Sequence, residues 1–186
     1  MRLVALAGNP NVGKSTLFNA LTGSRQHTGN WPGKTVELAQ GSYFYKGEDY
    51  RLADLPGTYS LVSRSQEEAV AERFLRGGGA ECTVAICDAT CLERTLCLAL
   101  QILELTNRVV VCVNLMDEAA RLGITVDVRA LACALGVPVV PMSAGTGEGL
   151  EALTEAVREV CEGFFPLPPQ QTGKVLLLAG EDDPGK

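Results

Sequence analysis

The sequence is short of positive charge and of long apolar runs, and each shortage excludes a class of protein. Its 186 residues include 16 lysines and arginines against 22 aspartates and glutamates, which gives a net charge of −6. A nucleic-acid backbone is bound by concentrated positive charge, so no nucleic-acid partner is expected. The first apolar run, residues 3–7, ends at Gly8, whereas a membrane span takes about 20 apolar residues. We therefore expect no direct membrane insertion by this chain and a cytoplasmic location.

The cysteines lack the spacing of a metal site. None of the seven forms a C-x-x-C pair, and most lie inside apolar stretches. A site made from Cys87, Cys91 and Cys97 would have a spacing that structural zinc and iron–sulfur sites rarely use. We therefore predict that the cysteines are small, reduced core residues.

The order of apolar patterns is typical of an α/β fold. Short β-rich runs alternate with longer stretches in which apolar residues recur every three or four positions. This alternation predicts a doubly wound, mainly parallel six-stranded sheet with helices on both faces. Strands are predicted over residues 3–7, 36–44, 51–54, 83–88, 109–114 and 137–141, and helices over 14–21, 66–75, 92–105, 127–135 and 150–160. Residues 22–35 and 56–65, rich in glycine, proline and polar residues, are predicted to be mobile loops.

The composition changes after Phe165. Three prolines, Pro166, Pro168 and Pro169, are followed by a short apolar stretch and a polar end. We interpret residues 1–165 as one globular domain and 166–186 as a proline-containing linker or tail that leads to a region outside this chain.

A phosphate-binding motif lies near the start of the chain. Residues 8–15 read Gly-Asn-Pro-Asn-Val-Gly-Lys-Ser and match G-x-x-x-x-G-K-[ST] at a predicted strand-to-helix junction. In such a P-loop, backbone N–H groups wrap the phosphates, Lys14 neutralises the β- and γ-phosphates, and the Ser15 hydroxyl ligates Mg²⁺. The motif predicts a P-loop NTPase whose nucleotide contacts are Gly8, Asn9, Pro10, Asn11, Val12, Gly13, Lys14, Ser15 and Thr16.

A second motif, Asp54-Leu55-Pro56-Gly57, ends a later predicted strand. There Asp54 can hold Mg²⁺ through water, and the Gly57 N–H can reach the γ-phosphate. The tetrapeptide alone is common and would usually be an ordinary turn after a strand. It indicates a nucleotide site here because the chain also contains a P-loop.

Two further segments predict recognition of guanine. Asn114-Leu115-Met116-Asp117 closes a predicted strand, at the sheet edge where doubly wound folds bind ligands. The Asp117 carboxylate can accept both N–H donors on the edge of guanine, which selects GTP over ATP. Ser143-Ala144 follows the last strand and can offer a backbone N–H to the guanine oxygen. Together the segments predict an enzyme that hydrolyses GTP to GDP and phosphate.

The motifs resemble those of the FeoB family of bacterial ferrous iron transporters, in its N-terminal cytosolic G domain, a TrmE-Era-like P-loop GTPase. The most specific strings are residues 30–37, Asn-Trp-Pro-Gly-Lys-Thr-Val-Glu, and residues 54–61, Asp-Leu-Pro-Gly-Thr-Tyr-Ser-Leu. The resemblance covers residues 1–165 and implies a regulatory domain. In the family, this domain is followed by a helical bundle and a transmembrane iron-transport region. It implies a location at the cytoplasmic face of the cell inner membrane.

The resemblance also implies roles for the segment called switch I. Thr35 would complete the coordination of Mg²⁺, with Gly33, Lys34 and Val36 beside the nucleotide. Asn11, together with the backbone carbonyls of Gly29 and Trp31, would hold K⁺ and so stimulate hydrolysis. The implied catalytic residues are Asn11, Lys14, Thr35 and Gly57. The alternative for Asn11 is a polar loop residue that binds no ion.

Three residues depart from the common GTPase pattern. Thr58 stands where a glutamine often orients water, so intrinsic hydrolysis should be slow. Leu115 replaces a lysine that packs on the base, which predicts modest affinity, and Lys34 has no individual role that the sequence reveals. Two other functions remain open: an RNA- or ribosome-associated GTPase of the Era or TrmE type, and a GTP-sensing scaffold with negligible turnover.

Overall fold

A computed structural model describes residues 1–23, 27–30, 37–61 and 65–164. Within these ranges a seven-stranded sheet has the order β2-β3-β4-β1-β5-β6-β7. The strands are β1 (Arg2–Gly8), β2 (His27–Asn30), β3 (Glu37–Tyr45), β4 (Glu48–Asp54), β5 (Cys82–Asp88), β6 (Val109–Asn114) and β7 (Val139–Pro141). The helices are α1 (Lys14–Thr22), α2 (Gln66–Arg76), α3 (Leu92–Leu105), α4 (Met116–Arg121), α5 (Val128–Leu135) and α6 (Leu150–Cys161).

The sheet confirms the predicted doubly wound, mainly parallel architecture. Strands β4, β1, β5, β6 and β7 pair in parallel, and β3 runs antiparallel to β4. The predicted strands are all present, and β2 adds one more at the edge. It lies inside residues 22–35, where the prediction of a loop is wrong for residues 27–30. The strand is held by backbone pairing with β3, His27 opposite Gln40 and Asn30 opposite Glu37, and such pairing leaves no apolar pattern in a sequence.

Helices cover both faces of the sheet because the buried strands alternate their apolar side chains. In β5, Ala85 and Cys87 pack in the cluster that holds Phe74 of α2 and Ile102 of α3. On the opposite face, Cys82, Val84 and Ile86 pack with Phe18 of α1 and Val157 of α6. The period of two residues thus builds one apolar layer on each side of the sheet.

The cysteines only partly follow the prediction. Cys82, Cys87, Cys112 and Cys161 are buried, and all seven are free thiols. Burial raises the pKa of the Cys87 thiol to about 12. Cys97 and Cys133 are exposed, because each lies on the outer side of an amphipathic helix, so the prediction of a core position is wrong for them. Within the described ranges, histidine, cysteine and acidic residues form no cluster of three or more that could hold a metal ion.

Helix α6 runs from the end of β7, at one edge of the sheet, to the start of β1, in the middle of the sheet. It begins after Gly149, whose φ of 85° only glycine adopts readily. A Cβ at that position would lie 2.4 Å from the backbone oxygen of Pro141 at the end of β7. The other end of α6 lies beside the start of β1, where Arg2 Nη1 donates to the Cys161 carbonyl at 3.2 Å. A close backbone approach therefore fixes the first end of the helix, and a side-chain hydrogen bond holds the other.

The predicted helices are all present, and a short one was not predicted. Helix α4 has six residues and begins inside the Asn114-Leu115-Met116-Asp117 segment. No helix in the described part of the chain has both the length and the apolar character of a bilayer span. The predicted linker, 166–186, lies outside the described residues.

Candidate nucleotide-binding site

The P-loop motif forms the turn between β1 and α1. Gly13 caps the helix with a φ of 85°, and Asn11 also adopts a positive φ of 67°. A Cβ on Gly13 would lie 2.3 Å from Asn114 Nδ2, so the loop approaches its neighbour too closely for a side chain. Gly13 has no side chain to satisfy the first N–H groups of α1, which are therefore available to an anion.

A cavity of about 530 Å³ lies in front of this turn. Its lining residues are Asn9, Pro10, Asn11, Gly13, Lys14, Ser15, Thr16 and Gly57. A Cβ built on Gly57 would lie 3.3 Å from Pro10 N, so the second motif touches the P-loop directly. The volume is within the range of small-molecule sites, roughly 300–1,000 Å³. The structure therefore brings together the two segments that were predicted to surround the phosphates.

Lys14 and Asp54 form an ion pair at the cavity. Lys14 Nζ donates to Asp54 Oδ1, and the two side chains are only 12% and 16% exposed. The pair arises because β4 lies next to β1 in parallel, with Leu6 opposite Asp54. A phosphate would compete for Lys14, and a cation would compete for Asp54.

The Asn114 side chain connects two segments of the site through hydrogen bonds. Its Nδ2 donates to the Val12 carbonyl at 2.9 Å, and its Oδ1 accepts from Ala144 N at 2.9 Å. The side chain is almost fully buried. Asn114 therefore ties the P-loop to the segment after β7, a structural role that its place in the motif does not reveal.

The segments predicted to recognise guanine lie together. Leu115 has a φ of 63°, which turns the chain so that α4 begins at Met116. Asp117 N donates to Ser143 Oγ at 3.2 Å. Asp117 Oδ2 accepts from Arg121 Nη2 at 3.3 Å, a neighbour one helical turn away that no motif indicated. A guanine base held by Asp117 would share this carboxylate with Arg121.

The backbone N–H groups of Ser143 and Ala144 are both used within the protein. Ser143 N donates to Glu148 O at 3.0 Å, and Ala144 N donates to Asn114 Oδ1 at 2.9 Å. In this conformation neither N–H group points to a ligand. Their predicted bond to the guanine oxygen stays a prediction, and it would compete with these two internal bonds.

Asn9 carries an unpartnered buried oxygen. The residue is 2% exposed, it lines the cavity, and its Oδ1 has no hydrogen-bond partner among the described residues. Leaving a buried acceptor unpaired costs about 1–3 kcal/mol. A polar molecule in the cavity would relieve that cost, so this oxygen fits a site that takes a polar ligand.

The remaining predicted residues belong to switch I. Gly29 lies in β2 with its backbone opposite Leu38. The others, Trp31, Gly33, Lys34, Thr35 and Val36, lie outside the described residues. Their roles stay predictions.

Comparison with known sequences identifies the family. A family model described as ferrous iron transport protein B matches residues 2–157. This chain belongs to the FeoB family. The Fe(2+) transporter FeoB of Escherichia coli (strain K12) is 44% identical over 158 residues, which is 83% of this chain and 20% of that protein. The chain thus spans about a fifth of the length of the curated FeoB relatives it matches.

Solved FeoB domains share the fold. The G domain of T. maritima FeoB superposes with a TM-score of 0.79 at 46% identity, covering 86% of this chain and 98% of that domain. The cytosolic domain of T. maritima FeoB in its GMPPNP form gives a TM-score of 0.84 at 44% identity, covering 92% of this chain and 67% of that one. The same domain is also known in GDP forms. The resemblance to the FeoB G domain is confirmed, together with its P-loop NTPase fold.

Proposed function

We propose that this domain binds GTP and GDP with Mg²⁺ and hydrolyses GTP to GDP and phosphate. The observation that carries the proposal is the cavity where the P-loop and Gly57 meet, with Lys14 and Asp54 paired at it. Solved T. maritima FeoB domains in GDP and GMPPNP forms support the choice of guanine nucleotide.

The residues at the cavity suit Mg²⁺, which prefers oxygen ligands. Ser15 is exposed at the start of α1 and lines the cavity, and Asp54 presents a carboxylate beside Lys14. Ser15 and Asp54 would hold the ion together with Thr35. When bound, Mg²⁺ supplies positive charge to the β- and γ-phosphates.

Each side chain then has a task in hydrolysis. Lys14 leaves Asp54 for the phosphates, and the Gly57 N–H donates to the γ-phosphate. Water attacks the γ-phosphorus as the bond to the β–γ bridging oxygen breaks, a proton of the water passes to the released phosphate, and GDP and phosphate leave. Preorganised donors of this kind stabilise the charge that develops in the transition state. Thr58 lacks the amide with which a glutamine orients water, so the intrinsic rate should be low.

We further propose that Asn11 holds K⁺ with the carbonyls of Gly29 and Trp31. Asn11 is exposed and lines the cavity, in an αL conformation that asparagine tolerates. Among the residues that line the cavity in the described part of the chain, Lys14 is the only basic one. A bound K⁺ would supply the additional positive charge that other GTPases take from an arginine.

Single-turnover GTP hydrolysis in potassium and in sodium buffer tests both proposals. We expect turnover in both salts and a rate about tenfold or more higher in potassium, equivalent to at least about 1.4 kcal/mol of barrier. Asn11→Ala should abolish the difference while GDP affinity persists. Equal rates in the two salts would refute the potassium site, and absence of turnover in either would refute the GTPase.

At the level of the whole transporter, we propose that the nucleotide state of this domain biases an attached helical and transmembrane iron-transport region. The domain would then lie at the cytoplasmic face of the inner membrane. Family membership supports this proposal. The test is iron uptake by a full-length FeoB that carries Lys14→Ala, which should fall while the protein still reaches the membrane.

A further inference from the structure

The segment of residues 55–61, called the switch II segment here, is fixed at both of its ends. At the first end, Leu55 N donates to Leu6 O at 3.0 Å, and Thr58 N donates to Gly8 O at 3.2 Å. At the second end, Leu61 N donates to Gln101 Oε1 at 2.7 Å. Gly57, which touches Pro10 of the P-loop, lies between Leu55 and Thr58, and Gln101 holds the residues that follow Thr58.

The second fixed point comes from helix α3. Gln101 Oε1 accepts from both Leu61 N and Ser60 Oγ, the latter at 3.2 Å. The Leu61 side chain is itself buried in the apolar cluster that contains Leu98 and Ile102 of α3. The Gln101 side chain, 40 residues away in the sequence, thus provides the acceptor that holds the Leu61 end of the switch II segment.

A second residue of α3 contacts the same segment. The Arg94 guanidinium lies 5.9 Å from the centre of the Tyr59 ring, within cation–π range. Arg94 and Gln101 are about two helical turns apart, so they lie on one face of α3. That face of α3 runs along the switch II segment from Tyr59 to Leu61.

We propose that Gln101 is a positioning residue for GTP hydrolysis, an inference that rests on the proposed function. It holds Ser60 and Leu61, so that the preceding turn keeps its bond from Thr58 N to Gly8 O and the Gly57 N–H stays beside the P-loop where the γ-phosphate would lie. Catalytic donors act best when they are aimed before the reaction begins, and small misplacements are costly. GDP has no γ-phosphate, so Gln101 affects hydrolysis and leaves GDP affinity unchanged.

The test compares two substitutions at the same position. Gln101→Leu removes the acceptor oxygen, whereas Gln101→Glu keeps one at the same distance from the backbone. At saturating GTP we expect the single-turnover rate to fall about tenfold in Gln101→Leu and to stay within about twofold of wild type in Gln101→Glu. Hydrogen exchange at the Leu61 amide should quicken in the leucine variant only. Calorimetry should give the same GDP affinity for both variants and the wild type.

Glu104→Gln, a change at an exposed position of α3, controls for general effects on this helix. An unchanged hydrolysis rate in Gln101→Leu would overturn the proposal. Equal losses in Gln101→Leu and Gln101→Glu, or a matching loss of GDP affinity, would show a merely structural role and overturn it as well. A wild-type domain without turnover would instead refute the proposed function, which is a distinguishable result.

Discussion

Asp117 is the residue on which nucleotide choice should depend. Its backbone N–H donates to Ser143 Oγ, and its carboxylate accepts from Arg121. Asp117→Asn replaces an acceptor of two N–H groups with an amide that also donates, which suits xanthine better than guanine. We expect GDP affinity to fall and XDP affinity to rise, as measured by calorimetry.

The matched control for Asp117→Asn is Glu118→Gln, which removes one negative charge from the next, exposed position of α4. It should leave both affinities unchanged. If Asp117→Asn binds GDP as tightly as the wild type, Asp117 does not select the base.

The residues of the site differ in how far a sequence could reveal them. Lys14, Ser15 and Asp54 belong to short sequence motifs. Their position in one site could be predicted because the strands next to these motifs end at the same edge of the sheet. Gln101 and Arg121 belong to no motif, and their contacts depend on how α3 packs and on the turn at Leu115. The bracing role of Asn114 was hidden for a similar reason, since both of its partners lie 30 or more residues away.

At the scale of elements, the β3–β4 hairpin is tied to α6 through Glu155. Its carboxylate accepts from Arg158 Nη2 at 3.0 Å, Lys46 Nζ at 2.9 Å and Tyr45 Oη at 3.1 Å. These bonds, with Arg158 the largest influence, lower the pKa of Glu155 from an ordinary value of 4.5 to about 2. The charged carboxylate therefore stabilises the fold above about pH 4.5, and that stabilisation is lost as the pH falls toward 2.

Urea unfolding over this pH range tests the Glu155 cluster. The midpoint of Glu155→Gln should lie below that of the wild type at pH 6, and the gap should close as the pH falls from 4.5. Glu151→Gln, at an exposed position of α6, is the charge-matched control, and at pH 6 its midpoint should lie closer to that of the wild type than the midpoint of Glu155→Gln does. A gap for Glu155→Gln that stays constant with pH would contradict the assignment.

A second element-scale prediction concerns the start of α6. Gly149→Ala would force an alanine to a φ of 85° and place its Cβ 2.4 Å from the Pro141 oxygen. Gly147 has a similar φ of 80°, but a Cβ there would meet nothing within 4 Å. Gly147→Ala thus incurs only backbone strain, about 1–2 kcal/mol.

Both glycine variants can be compared by urea denaturation. The free energy of unfolding should fall further in Gly149→Ala than in Gly147→Ala, by about 1–3 kcal/mol, because backbone atoms must move to accept the new methyl group. Equal losses of unfolding free energy in the two variants would contradict this prediction, because they would mean that the backbone between β7 and α6 moves at no cost to accept the new methyl group.

The elements that the sequence predicted are those whose buried side chains produce a regular pattern of apolar residues. β1, β5 and β6 are apolar runs, and α3 and α6 repeat apolar residues at helical spacing, so their existence and type were predicted correctly. β2 was missed because an edge strand is defined by its backbone partner. Two of the predicted strands, β3 and β4, form an antiparallel hairpin. Its tight turn has a φ of 45° at Lys46 and 87° at Gly47. The strand pattern alone does not specify this arrangement.

At the scale of the whole molecule, the site exists because parallel strands end at one edge. β1, β4 and β6 deliver the P-loop, Asp54 and Asn114 to that edge, from distant parts of the chain. Because these strands end at the same edge, the sequence alone predicts that the motifs that follow them belong to one site. The hydrogen bonds of the 143–149 loop could not be foreseen, because a short loop has several ways to satisfy its backbone.

The contacts at both ends of α6 have a mechanical consequence. Its 12 residues span about 18 Å, from the loop beside Asp117 to the start of β1. At the first of these ends, Gly149 lies so close to the Pro141 oxygen that a side chain there would not fit. A helix of this length is stiff along its axis, so its two ends, one beside the 143–149 loop and one at Cys161, keep a fixed separation.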